Sequence, residues 1–301
     1  MPPGIGWPAK GDVDVPHAPL RLAGWFQVTA AADSSATLEQ EILARPVEER
    51  EPARAFFAAY PAGEGAPIAV VIPAYNEEPT VASVVRGIPR EIHGRAVEVI
   101  VVVDGSDDRT AEEARSAGAL VCDVPINRGQ GLIFMLGYWL AHKRGAEIIA
   151  TTDADGQYDE TEFDRVLEPI ISGRADFVNG SRRLGTELTT DPVRHAGVIF
   201  FGGLISVLLR QRITDPASGI RAFRTIIPQT VKLQQTQYQT SELLIATAMN
   251  GFRIVEVATT MRDRPDGATL TKKGPNLLYG MRFARAIIFT FMREVRRKRA
   301  R

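Results

Sequence analysis

Asp153, Asp155 and Gln157 are spaced two apart in the stretch IIATTDADGQYD (148–159), directly after an apolar run. In an extended chain that spacing turns all three oxygen donors to one side. Hard oxygens suit Mg²⁺ or Mn²⁺, and Mg²⁺ takes one or two carboxylates together with substrate phosphates. The plainer alternative is a carboxylate-rich turn in which Asp159 caps a helix beginning near Glu160. That turn accounts for Asp159 but not for Asp153 or Asp155. Asp104 ends another apolar run, where a carboxylate can accept hydrogen bonds from a nucleobase or ribose, while Asp107 or Asp108 reads as a helix cap. Arg182 and Arg183 follow a third run; they are either solvated surface arginines or two guanidinium forks that can meet a diphosphate. The glycine-rich NRGQG (127–131) opens a helix and either receives phosphate or turns the chain.

These residues need a scaffold that gathers them. PIAVVIP is a short apolar run rich in β-branched residues, as in a strand buried on both faces, and VEVIVVV, ALVCDVP, AEIIATT and ADFVNGS read as further strands. EEPTVASVVRGI, DDRTAEEARSAG, GQGLIFMLGYWLAHKRG and ETEFDRVLEPIISG have helical spacing and lie between them. The alternation predicts an α/β fold with a mainly parallel, Rossmann-like sheet and helices on both faces. Ligands of such sheets bind beyond the carboxyl ends of the strands. Five successive ends are polar here, carrying AYNEE, DGSDDRT, NRGQG, DADGQYD and GSRR, so the acidic cluster belongs to a site. Residues 1–65 form an extension, closed by the linker PAGEGAP and with a helix interrupted at Pro46 and Pro52. Residues 66–275 form the main domain, and 276–301 an amphipathic helix with a basic tail.

The totals narrow the choice of function. Formal net charge is zero, so no global field recruits nucleic acid. The single cysteine, Cys122, excludes an intramolecular disulfide and a multi-cysteine metal centre, which fits a reducing compartment. The N-terminus has no basic start followed by an apolar core, so a secretory signal is not expected. HAGVIFFGGLISVLLR (195–210) has fourteen uncharged residues between its ends, short of the roughly 20 that span a bilayer. The expected location is the cytoplasm, at most peripheral to the inner membrane face.

The ordered motifs IPAYNEE, VDGSDDRT, NRGQG, DADGQYD, GSRR and DPASGIRAFR resemble the family-2 glycosyltransferases of GT-A (nucleotide-diphospho-sugar transferase) fold. Within these, the chain is most similar to the dolichyl-phosphate mannose synthase and polyprenyl-phosphate glycosyltransferase branch, over about residues 67 to 275. The resemblance implies inverting transfer of a sugar from a UDP- or GDP-sugar with Mg²⁺ or Mn²⁺. It assigns Pro73, Tyr75 and Glu77 to holding the nucleotide and Asp104 to reading the base. Asp153, Asp155 and Gln157 fall on the metal motif, with Asp155 and Arg182 at the catalytic centre. Arg182 and Arg194 fall on phosphate contacts, and Ser218, Gly219 and Arg221 on a segment near acceptor and diphosphate. Arg264 and Gly267 fall on a late loop that closes over the phosphates. Two departures stand out. The family has paired aspartates before Gly-Ser, whereas here the first is Val103, leaving Asp104 alone to contact the nucleoside. The late loop runs on as ATLTKKG, so Thr269, Thr271, Lys272 and Lys273 are rough substitutes for Ser-Lys.

The acceptor divides the readings. A phosphate is already an anionic nucleophile and needs no general base, whereas a hydroxyl usually needs a carboxylate within reach. Glu242 in QTSELLIATAMNG is the best base candidate, and it is equally well explained as a first-turn residue favouring the helix dipole. AGVIFFGGLISVLL and the C-terminal MRFARAIIFTFMREVRRKRAR, with six basic residues among its last nine, either pack as core or meet an anionic leaflet. They favour a polyprenyl (dolichyl-type) phosphate acceptor at a membrane surface. The alternatives are a sugar transferase acting on a soluble small-molecule hydroxyl, a sugar nucleotidyltransferase, and a non-catalytic nucleotide-binding module. PAYNEE is acidic where the nucleotidyltransferase would carry a basic glycine-rich loop, and Asp153, Asp155 and Arg182 argue against a non-catalytic module. A homodimer is compatible with the sequence.

Overall fold

The computed structural model describes residues 37–188, 192–264 and 276–300. Residues 1–36, Gly267, Thr269, Thr271, Lys272 and Lys273 lie outside them, as does the Arg194 side chain.

Strands β1 (Ile68–Ala74), β3 (Arg95–Asp104), β4 (Leu120–Val124) and β5 (Ile148–Thr151) are the apolar runs read from the sequence. The two-residue β2 (Glu91–Ile92) is a hairpin on β3. Beyond β5 come β6 (Phe177–Glu187), β7 (Arg221–Arg224) and β8 (Ile254–Met261), making eight strands among the described residues. The order is β3-β1-β5-β7-β6-β8, with β4 on the far side of β3. Only β2 and β7 run antiparallel to their neighbours. The carboxyl ends of β1, β3, β4, β5, β6 and β8 therefore share one edge with the amino end of β7. The chain reverses its direction of winding between β1 and β5, and such a switch point is where open α/β sheets form a crevice.

Both faces of the sheet are covered, which is why its central strands are apolar throughout. Ala69, Val71, Ile100 and Val102 face one core with α2 (Val47–Ala59), α5 (Gln130–Arg144) and α9 (Gln239–Met249). Val70, Ile72, Val99 and Val101 face the other with α3 (Val81–Gly87), α4 (Thr110–Ser116) and α6 (Phe163–Ile171). Alternation along each strand splits one continuous apolar run between two cores. Within the extension, α1 (Leu38–Leu43) and α2 belong to the first core through Ile42, Ala53 and Phe56; the helix is interrupted at Pro46, which caps α2, but not at Pro52, which lies inside α2. Cys122 is enclosed, and burial pushes its thiol up to about 12, so it acts as a small core residue.

Three remaining helices complete the first face: α7 (Pro192–Leu209), α8 (Ile226–Thr230) and α10 (Asn276–Arg299). Phe201 of α7 packs on Phe283 of α10 with ring centroids 4.5 Å apart, and Phe283 stacks on Tyr238 at 5.1 Å. Among the described residues no helix is long and apolar enough to cross a membrane.

Candidate active site

The loops after β1 and β3 are fastened to each other. Asn76 takes a left-handed backbone (φ 53°) and accepts from the Asp107 amide at 3.1 Å. The Glu77 amide donates to Thr110 Oγ1 at 2.8 Å, and the Glu78 amide to Asp108 Oδ2 at 3.2 Å. This leaves Tyr75 47% exposed just past the end of β1, while Pro73 stays in the β1 ladder beside Val102. Thr80 bridges the switch point, donating from Oγ1 to Ala154 O at 2.8 Å.

Asp104 is buried, and its two oxygens accept the Arg128 and Gly129 amides at 2.6 and 2.9 Å. Burial raises its carboxyl above the ordinary aspartate value, opposed by those two amides. Through those two bonds Asp104 shapes NRGQG. Gly105 beside it has φ 68°, and a Cβ there would strike the Ile126–Asn127 backbone. Gln130, the first residue of α5, then donates from Nε2 to Asp153 Oδ1 at 3.1 Å. The edge thus runs without a break from Asp104 to the acidic cluster.

Asp153 and Asp155 lie partly buried beyond β5. Thr151 Oγ1 donates to Gly219 O at 2.7 Å, and the Gly219 amide donates to Tyr158 Oη at 2.8 Å. A Cβ on Gly219 would sit 2.3 Å from Asp153 Oδ2, so glycine here lets the S-G-I segment lie against that carboxylate without displacing it. On the other side Arg264 pairs with Glu77, and its Nη1 lies 3.9 Å from Asp155 Oδ2. Burial raises the Glu77 carboxyl, and Arg264 works against that rise. Asp159 caps the 3₁₀ turn Glu160–Glu162 and pairs with Arg262, and Asp155 also lies in a turn, its Oδ1 accepting the Gln157 amide at 3.1 Å, so the segment carrying the donors is not extended as the spacing suggested.

Four expectations change here. Gln157 donates from Nε2 to Arg262 O at 2.9 Å just past β8, so its amide nitrogen ties the loop down rather than serving only the two aspartates. Among the described residues no third histidine, cysteine or carboxylate completes a metal cage. Two carboxylates are nonetheless what Mg²⁺ or Mn²⁺ uses when substrate phosphates supply further oxygens, so the donor set fits such an ion. Arg182 does not follow β6 but lies within it, because the strand runs on to Glu187. Strand alternation turns Arg182 inward and Arg183 outward. Arg182 is 1% exposed and meets Asp215 through Nε at 2.6 Å and Nη2 at 2.7 Å, which excludes it as an open phosphate contact.

Arg221, expected near the diphosphate, is likewise enclosed; it donates to the carbonyls of Ser218 (2.8 Å), Pro216 (3.0 Å) and Thr240. It holds the D-P-A-S-G loop in shape, with buried Ser218 inside that loop. Glu242 has a fully enclosed side chain. Oε1 meets Arg293 at 2.6 Å, and Oε2 accepts the Gln234 and Gln235 amides, both at 2.8 Å. A base must reach the proton it removes, and this carboxylate is committed elsewhere.

Sequence reasoning missed Gln130, Asp215 and Glu256. Glu256 Oε2 accepts the Thr214 amide at 2.7 Å, and Oε1 accepts from Asn179 at 2.9 Å, so β8 supports the D-P-A-S-G loop from below. Its strand was legible in RIVEVATTM, whose β-branched residues alternate in burial. Arg183 on the open side meets His195 Nε2 at 2.6 Å, at the start of α7.

The family model described as Glycosyl transferase family 2 matches residues 69–228. The chain is 36% identical over 197 residues to the dolichyl-phosphate hexose transferase of Haloferax volcanii, covering 65% of this chain and 83% of that relative. It is 27% identical over 222 residues to the undecaprenyl-phosphate mannosyltransferase of Micrococcus luteus, covering 69% and 88%. Glucosyl-3-phosphoglycerate synthase from Mycobacterium tuberculosis, solved with Mn²⁺, UDP and glucosyl-3-phosphoglycerate, matches with TM-score 0.56 at 22% identity, covering 83% and 85%. That structural likeness speaks for the fold alone. With the motif-bearing strand ends on one edge and the family match across them, this chain belongs to glycosyl transferase family 2 and is a glycosyltransferase of GT-A fold.

Proposed function

We propose that the protein moves a sugar from a nucleotide diphosphate sugar to a polyprenyl phosphate, working peripherally at the cytoplasmic face of a membrane. The acceptor part of this reading is carried by Glu242. With that carboxylate enclosed and fully engaged, the base candidate for a hydroxyl acceptor is lost, and a phosphate acceptor needs none. The two relatives named above are, by their names, lipid-phosphate sugar transferases.

Tyr75 and the loop shaped by Asp104 would receive the nucleoside, and Asp153 and Asp155 would hold Mg²⁺ or Mn²⁺ against the diphosphate. The ion, when bound, neutralises charge on the leaving diphosphate. The acceptor phosphate oxygen attacks the anomeric carbon from the face opposite the diphosphate. A carbon–oxygen bond forms there while the bond to the diphosphate breaks, and the nucleoside diphosphate leaves with the electron pair. Configuration inverts, and no proton is transferred. Arg183 and His195 stand at the edge where α7 begins and suit the acceptor phosphate better than buried Arg182 does.

Exposed apolar side chains on two helices support the membrane part. On α7, Ile199, Phe200 and Val207 are exposed, and on α10 Met281, Ile288, Phe289 and Met292. Residues 281, 285, 288, 289, 292 and 296 lie at helical spacing, which sets Arg285 and Arg296 beside the apolar stripe. Both helices follow strands that end at the site edge. An exposed apolar stripe flanked by arginines suits an anionic bilayer surface. Co-sedimentation with phosphatidylglycerol vesicles is expected at low salt, weakening as salt rises, and Phe289→Glu should abolish it. Binding insensitive to both would remove the membrane from this reading.

The acceptor is tested with Mn²⁺, UDP- and GDP-sugars, and either a short polyprenyl phosphate or a panel of soluble alcohols. Product should form on the lipid phosphate alone. Product on an alcohol with none on the phosphate would transfer the protein to the soluble-acceptor class.

A further inference from the structure

The segment 231–238, between α8 and α9, crosses the start of α5. Thr236 O accepts the Gly131 amide at 2.9 Å. The contact is so close that a Cβ on Gly131 would sit 2.5 Å from Gln235 O and 2.7 Å from Thr236 O. One residue earlier stands Gln130, whose amide holds Asp153 Oδ1. The segment's own conformation comes from below: Glu242 Oε2 gathers the Gln234 and Gln235 amides, and its other oxygen is held by Arg293 of α10. Arg293 also donates to Gln234 Oε1 at 3.2 Å and to Glu294 Oε1 at 3.1 Å. Arg297, one turn further along α10, donates to Thr230 O at 3.1 Å where the segment begins. Tyr238 at the other end packs on Phe283 and, with centroids 5.5 Å apart, on Tyr279. The Glu242 carboxylate is enclosed and also satisfies two backbone amides, so moving it would strand a charge and two N–H groups, whereas Arg293 is partly exposed.

We propose that Glu242 and Arg293 are positioning residues for the metal–diphosphate site. They fix segment 231–238 on the N-terminus of α5, and through Gly131 and Gln130 they fix the direction in which Asp153 presents its carboxylate. The proposal rests on the reading that Asp153 faces the ion and diphosphate. It ties the donor site to α10, the helix that carries the exposed apolar stripe. Hydrogen-bond partners that orient metal ligands typically matter by about 10- to 100-fold in metal affinity.

The test uses the full chain and reads binding without turnover, by calorimetry of Mn²⁺ with UDP and with GDP. Glu242→Gln and Gln130→Ala are each expected to weaken Mn²⁺–nucleotide binding by about tenfold. The double variant should be no weaker than the poorer single, since both cut one chain of contacts. Arg293→Lys, which keeps the charge, should recover most of the affinity that Arg293→Met loses. The donor KM should rise while the acceptor KM stays put, a split that general loosening of the fold would not give. Gln130 is exposed, so Gln130→Ala keeps the test available if Glu242→Gln does not fold. Unchanged binding in Gln130→Ala, or losses that multiply in the double variant, would overturn the proposal while leaving the transferase reading intact. Wild-type protein that binds neither Mn²⁺–UDP nor Mn²⁺–GDP would overturn both.

Discussion

Asp155→Ala should lower sugar transfer by about 10³-fold, the scale on which enzymes lose rate when one preorganised electrostatic contact to a transition state is removed. The loss is one of charge. In the proposed reaction a nucleoside diphosphate would depart with charge that no proton quenches, and the two partly buried carboxylates on this edge would hold a divalent ion against it. Removing one halves the chain's donor set, since no third histidine, cysteine or carboxylate joins them among the described residues. Asp155 also shapes its own loop, for Oδ1 accepts the Gln157 amide at 3.1 Å. Asp155→Asn separates the two effects: it keeps a turn-forming oxygen and loses the charge. Transfer should stay lost in Asp155→Asn while the thermal transition matches wild type. Activity restored in the asparagine variant would mean that the residue serves the turn and not the ion.

Arg182→Ala should cost about 3–5 kcal/mol of stability, which is the usual penalty for breaking a buried ion pair from one side. Arg182 is enclosed, Asp215 fully so, and the pair joins β6 to the D-P-A-S-G loop. Without the guanidinium, the Asp215 carboxylate keeps the Arg182 amide at 3.1 Å and the Ala217 amide at 3.3 Å but loses its counter-charge. Against a total stability of roughly 5–15 kcal/mol, that loss endangers the fold itself. Denaturant titration should show the midpoint moving well below wild type. An unchanged midpoint with a raised donor KM would return Arg182 to the phosphate contact that its motif implied.

The architecture was legible because apolar runs of β-branched residues alternate with helices, and each core strand feeds two cores. The convergence of Asp104, Asp153 and Asp155 on one edge followed from parallel topology alone. What sequence could not show was the direction of individual side chains. Arg182 and Arg183 are adjacent and chemically alike, and only the unforeseen length of β6 decides that one is buried and the other open. Arg221 and Glu242 carry charges that suggest substrate, yet both are spent on backbone groups of loops near the site. Gln130 was hidden for the opposite reason, since a lone glutamine after a glycine carries no signal until the fold sets it against Asp153.

The central claim is that Asp153 and Asp155 hold a divalent ion against a nucleoside diphosphate. Anomalous diffraction from crystals soaked with Mn²⁺ and UDP, or with Mn²⁺ and GDP, tests it most directly. A manganese peak bonded to both carboxylates, with diphosphate oxygens completing its shell, is the predicted result. A nucleotide bound in the crevice with the ion absent from these two residues would contradict it.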